Sequence, residues 1–141
     1  MTPFDAATPD GYLLVLALVV PMAGMLAAFA LGGRHAERVA LLALPIGSAV
    51  AVAIAAGVWH RGDALVYTLG GWAPPLGVAL RADGLSVALL LTTAIVIGTA
   101  ALFAHAEFRT APGQPEARAP LVFWTFLLAV WAALNAVFLG A

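Results

Sequence analysis

Four apolar stretches, each about twenty residues long, set the fold that this chain can adopt. At roughly 1.5 Å per residue, a helix of that length crosses about 30 Å of hydrocarbon. Hydrophobic residues make up 64% of the chain and charged residues only 9%, too few to cover a water-facing surface. The sequence therefore predicts an all-α membrane protein, one module over residues 1–141, with four transmembrane helices at about residues 12–31, 39–58, 85–104 and 121–140.

The N-terminal tail does not resemble a cleaved signal peptide. It carries Asp5 and Asp10 but no Lys or Arg, and the first apolar stretch is longer than the core of a typical signal peptide. We therefore expect the N-terminus to belong to the mature protein.

A Gly- and Pro-rich segment between the second and third stretches predicts a β-hairpin at about residues 65–81. Residues 65–69 and 76–80 have the pattern of strands, and the cluster Gly-Gly-Trp-Ala-Pro-Pro at 70–75 has the pattern of a turn. Because the unpaired edges of a two-stranded sheet have no hydrogen-bond partners in hydrocarbon, we expect the hairpin at a membrane face. Asp83 follows it at the position of an N-cap, where its carboxylate can accept from the first N–H groups of the third helix.

The turn of this hairpin holds a candidate partner contact, formed by Trp72, Pro74 and Pro75. Trp72 is a large ring with little local core to bury it, and an exposed aromatic of this kind often contacts a partner protein or lipid headgroups. Trp59 and Trp124 lie near the ends of apolar stretches and have the position of interface anchors in a lipid bilayer.

The arginines predict an orientation. Four lie in the first and third links between the stretches, two lie in the hairpin link, and the N-terminal tail has none. The four are Arg34, Arg38, Arg109 and Arg118, and the two are Arg61 and Arg81. Because cytoplasmic loops are enriched in Lys and Arg, we expect the first and third links in the cytoplasm. The N-terminus, the extracytoplasmic hairpin and the C-terminus would then lie outside the cell (inner) membrane.

The interior of the four stretches contains no ionisable residue, since the Asp, Glu, Arg and His residues lie outside them or at their edges. Proteins that relay protons or bind ions within a membrane usually keep such groups there, so we expect this chain alone not to conduct. Asn135 is the one strongly polar intramembrane side chain deep in the fourth stretch, roughly one helical turn from its outer end. It either hydrogen-bonds another helix, a contact worth about 1 kcal/mol, or borders a water-filled path in a neighbouring subunit or domain.

Composition and spacing give no sign of a cofactor, a metal or a catalytic residue. The pairs His105/Glu107 and His35/Glu37 are two residues apart, so on a helix they point to different sides, and we interpret them as headgroup-level edges. The chain has no Cys and no nucleotide-binding or hydrolytic motif. A net charge of −1 without a basic stripe argues against binding to nucleic acid.

Small residues recur at every fourth position in the first two stretches and predict close helix packing, although abundant Ala alone could produce such rows. The rows are Gly24, Ala28 and Gly32; Gly47, Ala51 and Ala55; and Ala49, Ala53 and Gly57. Pro21 and Pro45 each remove a backbone N–H within a stretch and should bend the helix. Such a bend is tolerated where a neighbour satisfies the freed carbonyl.

The residues around the hairpin resemble those of a known family. Residues 67–78 (YTLGGWAPPLGV) and 81–86 (RADGLS) resemble the start of the antiporter-like membrane subunits. These proton-conducting subunits occur in respiratory complex I, membrane-bound hydrogenases and the Mrp-type Na+/H+ antiporters. The D-type member of the Mrp antiporter is the most similar, followed by the N-type member of complex I and the hydrogenase proteins. The resemblance extends through residues 123–128 and 134–139 and covers about residues 12–141.

This resemblance implies the N-terminal part of such a subunit, truncated before the helices that carry the family's conducting Glu and Lys residues. It implies scaffolding: helix packing and contact with other membrane subunits of a multisubunit antiporter or complex I-like assembly, and with a downstream fragment that carries the conducting helices. The parent complex would be a cation/proton antiporter or a proton-pumping oxidoreductase. The alternative is a free-standing small membrane protein that acts as an assembly factor or regulator of such a complex.

Overall fold

The computed structural model describes residues 9–72, 75–108 and 118–140, with the backbone alone at residues 33 and 34. Within these residues, four α-helices and one two-stranded antiparallel sheet follow one another. In order, they are α1 (Tyr12–Leu31), α2 (Gly33–Arg61), β1 (Leu65–Thr68), β2 (Ala79–Ala82), α3 (Gly84–Glu107) and α4 (Arg118–Leu139). By length and composition all four helices can cross a membrane, which confirms the prediction of four helices of spanning length.

Helix α2 is longer than the predicted stretch 39–58. Its 29 residues include Glu37 and Arg38 near one end and Arg61 at the other. Hydropathy marks only the apolar part of a helix, whereas backbone hydrogen bonding continues into the polar residues on both sides. At about 1.5 Å per residue α2 exceeds the roughly 30 Å hydrocarbon core, so both of its ends reach headgroup depth in a membrane. Gly62, with φ 71°, ends the helix.

A single residue, Gly32, separates α1 from α2, so the predicted link at residues 32–38 is wrong in its extent. Gly32 has φ 65° and ψ 179°, a conformation that favours glycine. Its N–H donates to Ala28 O at 3.0 Å, and its carbonyl accepts from His35 N at 3.1 Å. Residues 34–38 therefore form the first turns of α2 rather than a loop.

Helices α2 and α4 form the centre of the bundle, because each packs against the other three helices. The buried side chains fall into two clusters, one on either side of the middle of the bundle. The cluster at the hairpin end includes Leu14, Ile54, Leu65, Leu80, Leu90 and Leu139. The cluster at the opposite end includes Leu44, Ile97, Trp124, Leu128 and Trp131.

The buried face of α1 consists mainly of small residues. Met22, Leu26 and Phe29 point away from the bundle. The residues that point into it are Leu14, Ala17, Pro21, Gly24 and Ala28. Helix packing in lipid follows side-chain size in this way, because large apolar groups are as well solvated by lipid as by protein, whereas small ones let backbones approach closely.

The predicted rows of small residues divide accordingly. Gly24 faces α2 and α4, where an added Cβ would lie 3.2 Å from Ala43 Cβ and 3.4 Å from Leu128 Cδ1. Gly47 is buried against the ring of Trp131. The row that begins at Ala49 does not form such a face, because Ala49 itself is exposed.

The hairpin forms, but its second strand lies at Ala79–Ala82 instead of the predicted 76–80. Leu65 pairs with Ala82 and Tyr67 with Leu80. The connection runs from Leu69 to Val78: Leu69 N donates to Val78 O at 2.8 Å, and the chain then turns through Gly70 and Gly71, both with φ 73°. The prediction of two strands joined by a Gly-rich turn is confirmed, whereas the predicted limits of the second strand are wrong.

Candidate functional site at the hairpin end

The hairpin is packed down onto one end of the helix bundle. Leu65 and Leu80 are buried and lie in the same cluster as Leu14 of α1 and Leu139 of α4. Leu80 also forms an isolated antiparallel bridge with Gly140, directly after α4. The strands are therefore fixed to the bundle, and their connecting loop begins and ends at this end of it.

The loop of the hairpin exposes a patch of apolar side chains, here called the tip patch: Trp72, Leu76 and Val78. Their side chains are 64%, 82% and 58% exposed. Gly77 lies directly against the backbone of Trp72, since a Cβ at Gly77 would overlap the Trp72 carbonyl. Of the other candidate contact residues, Pro75 is exposed beside the patch, and Pro74 lies outside the described residues. The tip patch can contact a partner protein or lipid headgroups.

Asp83 is the N-cap of α3, at the position that the sequence indicates. Its Oδ1 accepts from Ser86 N at 2.9 Å, and the Ser86 hydroxyl lies 3.1 Å from the same oxygen. The backbone N–H of Ser86 is the main reason that the pKa of Asp83 lies below its usual value of 3.8. The Ser86 hydroxyl is also 2.9 Å from the carbonyl of Phe138, so it links the start of α3 to the end of α4. The sequence pattern alone does not mark Ser86 as a linking residue.

Replacing Asp83 with alanine is expected to destabilise the fold by about 1 kcal/mol through loss of the cap. Because the folded-state pKa is lowered, the cap's contribution is fully present above the usual pKa and is lost as the pH falls through the lowered value. Unfolding of the purified chain in mild detergent, measured between about pH 3 and pH 7, checks both points. Asp83→Ser is the matched control: it keeps a capping oxygen without a titrating group, and should remove only this pH dependence. Equal stability of Asp83→Ala and the unmodified chain at pH 7 would contradict the assignment.

Asn135 makes the interhelical hydrogen bond that was one of the two predicted roles. Its Nδ2 donates to the backbone oxygen of Ala17 in α1 at 2.8 Å, and the residue is only 4% exposed. Its Oδ1 has no partner among the described residues. Within this chain Asn135 therefore joins α4 to α1.

At the opposite end of the bundle, Glu37 of α2 pairs with His105 of α3. His105 Nδ1 contacts Glu37 Oε1, and both side chains are partly exposed. From the sequence, Glu37 and His105 were assigned to two separate headgroup-level sites. Their contact could not be predicted, because it joins residues 68 positions apart in the chain. The only signal was their similar depth at the ends of two stretches that a hairpin joins.

The prediction that Trp124 is an interface anchor is wrong. It is fully buried, and its ring lies edge-on to Phe123 with the centroids 5.3 Å apart. Phe123 in turn lies 5.3 Å from Phe108, which follows α3. Trp59 is 85% exposed and keeps a position suited to a membrane interface.

Among the described residues, the charged side chains and histidines lie toward the two ends of the bundle. At the hairpin end, Arg61 Nη1 lies 3.8 Å from Asp10 Oδ2, and both groups are exposed enough for the ion pair to contribute little. Arg109 lies outside the described residues. Asn135 is buried as a whole, and the Trp124 Nε1 and Thr125 Oγ1 atoms are also buried. The packed interior thus offers structural contacts rather than a chain of titratable groups.

No protein-family model matches the chain, and no curated protein matches it. The resemblance to antiporter-like subunits therefore depends on the residues quoted above.

Proposed function

We propose that this chain is a structural module of a proton- or cation-translocating membrane complex, corresponding to the N-terminal helices of an antiporter-like subunit. Its role is helix packing and subunit contact, and the conducting groups belong to its partners. The proposal rests mainly on where the polar, titratable and exposed apolar side chains lie. Among the described residues no titratable side chain is buried, the buried Asn135 donates to Ala17 O, and the tip patch is exposed at one end.

The exposed tip patch favours contact with a partner. Trp72 and Leu76 lie in a loop whose two flanking strands are packed against the bundle, so both ends of the loop are fixed before it binds anything. A loop with both ends fixed loses less conformational entropy on binding than a free segment of the same length. Large aromatics are also the residues that most often dominate binding energy at protein interfaces.

Affinity purification of the tagged chain from its native membrane tests this function. We expect it to co-purify with membrane subunits that carry intramembrane Glu or Lys residues, including one that continues the family pattern downstream. A chain that purifies alone under mild detergent would contradict the proposal. Co-purification only with assembly intermediates, and not with the finished complex, would favour the alternative of a free-standing assembly factor or regulator.

We further propose that the hairpin lies on the extracytoplasmic side of the cell membrane and the junction of α1 and α2 on the cytoplasmic side. The distribution of the arginines supports this orientation. The chain has no native cysteine, so single cysteines report on sidedness without background. Leu76→Cys should react with a membrane-impermeant maleimide in intact cells, whereas His35→Cys should react only after permeabilisation. The reverse pattern would contradict the orientation, and labelling of both from one side would contradict the four-span arrangement.

A further inference from the structure

The proline in α1 frees one identifiable carbonyl. Pro21 has no N–H, so the carbonyl four residues before it, Ala17 O, lacks the partner that a regular helix would supply. Both residues are buried. An unpaired carbonyl in such apolar surroundings costs free energy, because neither water nor lipid tails replace the missing bond.

Helix α4 supplies the missing donor. Asn135 Nδ2 lies 2.8 Å from this same oxygen. We infer that Asn135 replaces, from α4, the hydrogen bond that Pro21 removes from α1, and that the two residues form one structural unit, the Pro21–Asn135 clasp. The orientation of the amide follows from the chemistry, since a carbonyl oxygen can only accept and the nitrogen is the donor.

The clasp also fixes the register of α1 against α4. Seven residues, or about two helical turns, separate Ala17 from Gly24 and likewise Asn135 from Leu128. Gly24 faces Leu128, with 3.4 Å between an added Cβ and Leu128 Cδ1. Sliding either helix by one turn would break both contacts and leave a carbonyl and a carboxamide buried without partners. Apolar surfaces alone discriminate weakly between such registers, so the clasp defines one.

A double-mutant cycle between Pro21 and Asn135 tests this inference. In the full-length chain in mild detergent, Asn135→Leu should raise the unfolding equilibrium constant by about threefold to tenfold, the usual range for a hydrogen bond between membrane helices. In a Pro21→Ala background, the alanine introduced at that position has an N–H that can bond Ala17 O within α1. Asn135→Leu should then change the unfolding constant by less than about twofold or lower it, since the carbonyl no longer needs a partner.

Pro45 provides the matched control, because it is a second helix proline, exposed and in α2, whose freed carbonyl belongs to another helix. Pro45→Ala should combine additively with Asn135→Leu. The inference is overturned if the cost of Asn135→Leu is the same with and without Pro21, or if Pro45→Ala reduces that cost equally. If Asn135→Leu does not fold, Pro21→Ala should restore a folded chain, and failure of that rescue also overturns it.

Discussion

Trp72→Ala is expected to weaken the affinity of the chain for its partner subunits by roughly thirtyfold or more, and so to reduce their co-purification. Trp72 is 64% exposed in the chain alone, and truncating an aromatic that becomes buried at an interface typically costs about 2 kcal/mol or more. Because the ring contributes little to the two buried clusters, membrane insertion and thermal stability should be unchanged. Quantitative pull-down from membranes at matched expression measures the effect.

Trp59→Ala is the matched control, since Trp59 is 85% exposed at the same end of the bundle but belongs to α2 and not to the loop. A ring that contacts only lipid headgroups should be replaceable without loss of partner. Equal recovery of partners with Trp72→Ala and with the unmodified chain would show that the tip patch faces lipid, and the assignment of subunit contact to this surface would fail.

Gly47→Ala is expected to destabilise the bundle by about 1–3 kcal/mol, the usual cost of overpacking a core. The added Cβ would lie 2.8 Å from Trp131 Cζ2 and even closer to the neighbouring ring atom. Trp131 is 1% exposed, so its ring is enclosed by neighbouring side chains and cannot move aside cheaply. The steric cost therefore exceeds the roughly 0.5–1 kcal/mol that alanine gains over glycine within a helix.

Gly98 gives the opposite prediction and so serves as the control. It lies within α3, and no atom beyond its chain neighbours and the backbone of its own helix lies within 4 Å of an added Cβ. Gly98→Ala should leave stability unchanged or raise it by up to about 1 kcal/mol. Denaturant unfolding of both variants in the same detergent compares them, and a Gly47→Ala chain as stable as Gly98→Ala would contradict close packing between α2 and α4.

The elements of this fold could be read from the sequence because each depends on local chemistry. Apolar stretches of spanning length become helices in lipid regardless of their neighbours. Asp83 caps α3 through a contact only three residues away. The turn at Gly70 and Gly71 follows from the positive φ that glycine adopts without strain. Even so, the first residue of β2 depends on how the loop closes, and the sequence pattern placed it too early.

The contacts between helices could not be predicted in the same way. The spans are apolar on all sides, so polarity does not show which face is buried, and only the positions of small residues such as Gly24 and Gly47 give partial information. A proline at position 21 and an asparagine at position 135 both stand out within apolar stretches. The bond between Asn135 and the carbonyl that Pro21 frees nevertheless depends on the register of two helices that are distant in the chain. The same limit hid the Glu37–His105 pair and the burial of Trp124.

The central claim is that this chain packs its helices and contacts other subunits but does not conduct protons or Na+. Reconstitution of the purified chain tests it most directly. The purified chain in liposomes should dissipate an imposed proton gradient no faster than empty liposomes, and it should take up no Na+ in response to that gradient. The described interior has no titratable side chain through which either ion could pass. Gradient-dependent Na+ uptake, or proton leakage that increases with the amount of chain reconstituted, would contradict the account.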